Sequence, residues 1–127
     1  MKKVLLSLLL LILPLIAAAQ VYSVVEEYVT DVRYISKTEM VCKERRVITV
    51  LDKRGLSAAN LLISLNKGHS ALGRFSGTMT DSQGTLLRKI KKSDLEYTEY
   101  SEMLADDACS YFYTCEPPHY PFTVTYE

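Results

Sequence analysis

The chain has 127 residues, with 15 basic and 15 acidic side chains, nine tyrosines and no tryptophan. This length suits one small domain. Nucleic-acid binding requires an excess of basic residues, and this chain has no such excess, so we expect no nucleic-acid partner.

The N-terminal segment predicts a cleavable signal peptide over residues 1–19. A lysine pair, an apolar run over residues 4–16 and a small-residue site ending at Ala19 follow one another in the order that signal peptidase reads. The alternative is a retained membrane anchor, but a spanning helix needs about 20 apolar residues and this run is shorter. We expect cleavage between Ala19 and Gln20.

Export would place the mature chain in the periplasm or outside the cell. A lipid-anchored product would need a cysteine at the cleavage point, and the first cysteine is Cys42. We therefore expect a soluble protein that contacts the membrane only transiently, through its signal peptide.

The rest of the chain alternates apolar and polar residues with a period of two, which is typical of half-buried strands. Turn signatures of the Asp-x-x-Gly kind at residues 52–55 and 81–84 predict hairpins between consecutive strands. The pattern therefore predicts an all-β fold, an antiparallel β-sandwich preceded by the signal-peptide helix. The predicted strands cover residues 28–35, 39–51, 61–65, 73–80, 85–90 and 122–126.

The alternation also predicts which side chains face the core. Arg74 and Thr123 fall on the solvent face of their strands. The predicted core residues are Ile48, Val50, Phe75, Met79, Phe122 and Val124.

Residues 93–107 interrupt the period-two alternation of apolar and polar residues. Ser93 with Glu96 three residues later matches a capping box, which predicts a short helical turn. The segment is rich in carboxylates, but it lacks the alternating acidic ligands and central glycine of a calcium loop. We interpret it as a solvated acidic loop.

Three cysteines, Cys42, Cys109 and Cys115, leave the disulfide pattern open. Cys109 and Cys115 would lie about 20 Å apart on one extended segment, which is too far for a disulfide. Cys42 could bond to Cys109 if their strands are neighbours. Three free thiols are the other interpretation.

Candidate chemistry is sparse in this sequence. A Cys-dependent enzyme would need Cys109 or Cys115 beside His119, which lies in a proline-stiffened connector. We find no spacing for metal ligands, no phosphate-binding glycine loop and no cofactor motif, so we expect no metal, no cofactor and no catalytic residue. A carbohydrate- or peptide-binding domain is the alternative, using a tyrosine platform of Tyr97, Tyr100, Tyr111, Tyr113 and Tyr120.

Three stretches together resemble a known family. The first is a strand that ends in an Asp-x-x-Gly turn, at residues 45–55. The second is a block with Phe75-x-Gly77, Asp81-x-x-Gly84 and a Lys-Lys-Ser-Asp run at residues 91–94. The third is a proline-rich connector that leads into a Thr-Val-x-Tyr-Glu strand, at residues 117–127. In this order, behind a signal peptide, they resemble the domain of unknown function 3857. That domain is the N-terminal module of bacterial exported proteins that also carry a transglutaminase-like domain.

The resemblance implies that residues 20–127 are a non-catalytic β-sandwich module that supports, or presents substrate to, a downstream or partner transglutaminase-like domain. It supplies no catalytic position in this chain, because the family's Cys-His-Asp triad lies C-terminal to the module. The family's module continues beyond the strand that ends this chain. We therefore expect an incomplete sandwich in which strand 122–126 lacks a neighbour and destabilises the domain.

Overall fold

The computed structural model describes residues 19–99 and 107–127, and these form eight strands. All six predicted strands are present, with bounds shifted by a few residues, and two further strands were not predicted. The strands are β1 (Ser23–Tyr34), β2 (Met40–Val50), β3 (Leu61–Asn66), β4 (Ser76–Asp81), β5 (Leu86–Lys91), β6 (Glu96–Glu99), β7 (Ala108–Tyr113) and β8 (Phe122–Tyr126).

The strands form two antiparallel sheets. One sheet has five strands in the order β1-β2-β8-β4-β5, and the other has three in the order β3-β7-β6. The fold is therefore all-β and sandwich-like, as predicted. The predicted signal peptide, residues 1–19, lies outside the described residues except for Ala19, which is exposed, as is Gln20.

Strand β8 lies at the centre of the larger sheet, so the prediction that it lacks a neighbour is wrong. Val124 pairs with Ile48 of β2 on one side and with Met79 of β4 on the other. The prediction rested on the family resemblance, in which the module continues beyond this strand, whereas β8 lies between two strands that precede it in the sequence. Its backbone groups are used on both sides.

The hydrophobic core lies where the two sheets face each other. Five of the six predicted core residues are buried, and Phe75 is half-buried with its ring 6.3 Å from that of Tyr126. Arg74 is exposed as predicted, whereas Thr123 is half-buried because it packs between neighbouring strands. The buried core residues are Ile48, Val50, Ala59, Leu61, Met79, Ile90, Leu95, Tyr113, Cys115, Phe122, Val124 and Tyr126.

The segment after β2 does not form a hairpin, so this turn prediction is wrong. Residues Lys53–Ala59 form a 3₁₀ helix that carries the chain from the larger sheet to the smaller one. Asp52 caps it by accepting a hydrogen bond from the Arg54 N–H at 3.0 Å. An Asp at the first position is favourable both at the start of a 3₁₀ helix and in a hairpin turn. The Asp-x-x-Gly signature alone therefore could not distinguish the two structures.

The second Asp-x-x-Gly turn is a hairpin, as predicted. It joins β4 to β5, and Gly84 adopts a positive φ of 82°. The Asp81 carboxylate accepts hydrogen bonds from the N–H groups of Gln83 and Thr85 at 2.9 and 2.8 Å.

The capping box predicted at Ser93 is also wrong. A three-residue 3₁₀ turn, Lys92–Asp94, is capped instead by Asp94, which accepts from the Lys91 N–H at 2.7 Å. Glu96, the expected capping partner, begins strand β6. Residues 100–106 of the acidic segment lie outside the described residues.

Candidate interaction surface

Strands β1 and β2 extend beyond the sheet to which they belong. Their pairing continues from Ser23↔Val50 to Tyr34↔Met40, but β2 pairs with β8 only over residues 46–50. Residues 27–45 therefore form a two-stranded arm, here called the ribbon. Among the described residues, no further strand pairs with β2 along most of its length. A chain reversal closes its tip, where Glu39 O accepts from the Ile35 N–H at 3.0 Å.

One side of the ribbon continues the core face of the sheet. Side chains alternate along a strand, so the buried Ile48 and Val50 share a face with Cys42 and Met40. The residues opposite on β1 have their side chains on that same face. The apolar face, as we define it, consists of Tyr28, Val32, Tyr34, Met40 and Cys42. Thr30 and the ion pair between Glu44 and Arg46 lie on the same side, between most of these residues and the core.

The apolar face is open to solvent. Tyr28, Val32, Tyr34 and Met40 are 57%, 47%, 78% and 55% exposed. The guanidinium of Arg46 lies 4.9 Å from the centre of the Tyr28 ring, which marks the end nearest the core. Exposed apolar patches of this kind mark interaction surfaces, because leaving them in water is unfavourable.

The opposite face of the ribbon is charged. Asp31, Arg33 and Lys43 alternate there with Val29 and Val41. On the same face, Glu27 forms an ion pair with Arg45 at 3.4 Å, and Arg45 also pairs with Glu127. The ribbon is thus amphipathic, with most of its charged side chains on one face and large exposed apolar side chains on the other.

All three cysteines are free thiols in this structure. The prediction that Cys42 and Cys109 lie on neighbouring strands is wrong, since Cys42 is in β2 of the larger sheet and Cys109 is in β7 of the smaller one. Cys42 is exposed on the ribbon, whereas Cys109 is buried.

The thiol of Cys115 belongs to a buried polar cluster. Its Sγ lies 3.1 Å from the Tyr126 hydroxyl oxygen and 3.4 Å from the Ala59 carbonyl oxygen. Burial raises the pKa of this thiol, and the hydrogen bond with Tyr126 lowers it by less. A raised pKa disfavours the thiolate that a nucleophile needs.

His119 is exposed and does not hydrogen-bond to either buried cysteine within the described residues. His119 lies close enough to Asp81 to stabilise the ionised form of its carboxyl group. The pKa of Asp81 is held below its usual range first by the Thr85 N–H and then, more weakly, by the Gln83 N–H and His119. The structure therefore does not bring together the Cys–His pair that an enzyme interpretation would use.

The predicted tyrosine platform is divided between different places. Tyr97 and Tyr111 contact each other at 5.0 Å, but Tyr113 is buried in the core and Tyr120 packs on Phe122. Tyr100 lies outside the described residues. The Tyr97 hydroxyl donates to Glu99 at 2.7 Å, which raises the pKa of Tyr97.

The described residues show neither a metal-ligand cluster nor a membrane-spanning helix. Residues 19–99 and 107–127 contain no group of three or more His, Cys, Asp or Glu side chains placed to hold a metal ion. In the same part of the chain, no helix is both long enough and apolar enough to cross a membrane.

Comparison with known proteins gives no assignment: no family model, no curated protein and no solved structure matches the chain. The surface described above therefore has to be interpreted from its own chemistry. The sequence shows the alternation of Tyr28, Val32 and Tyr34 with Asp31 and Arg33, which predicted a strand but not whether its apolar side is covered. In the part of the chain that the structure describes, four residues of this side are largely exposed.

Proposed function

We propose that the chain is a non-catalytic β-sandwich module of an exported transglutaminase-like protein, and that it supports or presents substrate to a downstream or partner domain. The observation that carries the proposal is the uncovered apolar face of the ribbon. A binding module needs a surface whose burial is favourable, and this face carries four large apolar side chains that are about half exposed or more. The identity of the partner rests on the family resemblance of the sequence.

The ribbon suits docking by a folded domain. Most charged side chains of the ribbon lie on its other face and stay solvated when a partner covers the apolar face. The charges on the covered side, Glu44 and Arg46, already form an ion pair with each other. Tyr28 and Tyr34 provide large rings with few rotatable bonds, and tyrosine is enriched at the energetic centres of interfaces. The proposed role therefore requires no catalytic residue in this chain.

Calorimetric titration of the purified chain with a transglutaminase-like domain from the same genome tests this role. Met40→Ser removes an apolar side chain from the apolar face, and Val41→Ser removes one from the charged face of the same strand. We expect the first variant to weaken binding about tenfold, and the second to bind like the natural chain. Equal binding by both variants, or no binding by the natural chain, would contradict the proposal.

A carbohydrate- or peptide-binding domain is a second candidate, and the contact between Tyr97 and Tyr111 favours it. Tyr97 is 46% exposed, so part of its ring is free to stack against a ligand. Titration with glycans or peptides would quench tyrosine fluorescence, and Tyr97→Ala would abolish the response. A response unchanged in Tyr97→Ala would rule out this pair as the binding site.

A further inference from the structure

Strand β1 is the edge of the five-stranded sheet and is its longest strand, with 12 residues. The backbone groups on its outer side have no partner strand within the described residues. Edge strands of this length form templates for pairing with another chain, because each unpaired N–H and C=O can join a new ladder. A β-bulge between Val25 and Glu27 interrupts β1 near the sheet. The regular part of the edge is therefore residues 27–34.

The charges along this edge are self-complementary. Asp31 and Arg33 stand on either side of Val32, both on the charged face and both exposed. Neither forms an ion pair within the described residues; the pairs found there involve Arg45, Arg46, Arg54 and Lys67. A two-fold axis through Val32 places each Asp31 opposite the Arg33 of the other copy.

We propose that β1 pairs antiparallel with β1 of a second copy of this chain, in the register that places Val32 opposite Val32. The two five-stranded sheets then form one continuous sheet. The pairing creates two Asp31–Arg33 cross-strand ion pairs, and opposite charges directly across an antiparallel pair are stabilising. This inference goes beyond the proposed function and does not require the partner domain.

Neighbouring registers are less favourable. An axis at Asp31 or at Arg33 places identical charges opposite each other, and an axis at Val29 places Glu27 opposite Asp31. Register in a sheet is specified by such pairs.

An axis at Thr30 would place Glu27 opposite Arg33. However, Glu27 already pairs with Arg45 of its own chain, and Asp31 would face an apolar Val29. The register through Val32 uses both unpaired charges and leaves that intrachain pair intact.

The pairing also affects the ribbon's other surface. Because a two-fold axis perpendicular to the sheet keeps each face on its own side, the apolar faces of the two ribbons lie side by side. The dimer therefore presents a patch twice as wide as that of one chain.

Sedimentation equilibrium of the chain, purified as the cell produces it, tests the proposal. We expect concentration-dependent dimers for the natural chain. Asp31→Arg and Arg33→Asp each place like charges opposite in their own homodimers, so each raises the dimer dissociation constant about tenfold or more. An equimolar mixture of the two variants restores attraction in both pairs, and it should dimerise like the natural chain.

Lys89→Asp is the matched control, because Lys89 is exposed on β5, the opposite edge strand of the same sheet. Circular dichroism verifies that each variant is folded. A monomeric natural chain would overturn the proposal, and so would a mixture that associates no better than the single variants. If Asp31 and Arg33 serve only to block edge pairing, replacing either by Ser would increase association, which would overturn it as well.

Discussion

The hydroxyl of Tyr126 donates a hydrogen bond to the backbone carbonyl of Ala59 at 2.6 Å, and both residues are buried. Tyr126 ends the central strand of the larger sheet, and Ala59 ends the 3₁₀ helix that leads into the smaller sheet. One hydrogen bond therefore joins the two layers of the sandwich. The same carbonyl lies 3.4 Å from the Cys115 thiol.

We expect Tyr126→Phe to lower the free energy of unfolding by about 1–3 kcal/mol, because the Ala59 carbonyl loses its better donor while staying buried. Urea denaturation measures this change. Tyr34→Phe is the control, since Tyr34 is 78% exposed and a surface change should stay within about 0.5 kcal/mol. Equal stabilities of the two variants would show that the bond between the layers contributes nothing.

Gly55 is required by a close approach between the 3₁₀ helix and the segment before β1. A Cβ placed there would lie 2.3 Å from the Tyr22 carbonyl oxygen. We expect Gly55→Ala to destabilise the protein by about 1–3 kcal/mol through forced backbone movement. Gly73→Ala is the control, because a Cβ at Gly73 meets nothing within 4 Å. Thermal melting of the pair decides the question, and an unaffected Gly55→Ala melt would contradict the packing.

The buried thiol of Cys115 predicts a stability loss at alkaline pH. Burial raises the pKa of Cys115 in the folded state above its ordinary value of 9.0, so the folded state holds this proton more tightly than the unfolded state does. Its contribution is complete below pH 9 and declines as the pH rises through the folded-state pKa. We expect the decline to be smaller in Cys115→Ala, as measured by urea denaturation between about pH 8 and pH 10, one unit either side of the ordinary thiol pKa. Identical pH profiles would contradict this.

The signal peptide remains a prediction, and intact-mass analysis of the exported protein tests it. We expect a mass that begins at Gln20, or the pyroglutamate formed from it. In the structure, Gln20 Oε1 accepts a hydrogen bond from the Tyr22 hydroxyl at 3.0 Å. A purified protein that retains residues 1–19 would contradict cleavage.

Local pattern predicted most strands, but it did not predict their order. The alternation at Ile48, Val50, Met79 and Val124 placed these side chains in the core, because one face of each strand is apolar. The placement of β8 between β2 and β4 depends on pairings far apart in sequence, which no local signal encodes. For that reason the same alternation over Tyr28, Val32 and Tyr34 predicted a strand but not that its apolar side would be exposed.

The strand β6 and the 3₁₀ helix after β2 were missed for a related reason. Asp52 and Gly55 fit a hairpin turn and a capped 3₁₀ helix equally well, and the connection between sheets decides between them. Glu96 was assigned to a capping box because three-residue spacing is all that this motif requires. Its actual place is decided by pairing with Phe112 in the smaller sheet.

We propose that the apolar face of the ribbon binds a transglutaminase-like domain. The most direct test is site-specific photo-crosslinking in intact cells, with a photoreactive amino acid at Met40 on the apolar face or at Val41 on the charged face. We expect position 40 to crosslink to a polypeptide that carries a transglutaminase-like domain, as identified by mass spectrometry. We expect no such crosslink from position 41. Equal crosslinking from both positions, or none to such a domain from position 40, would contradict the proposal.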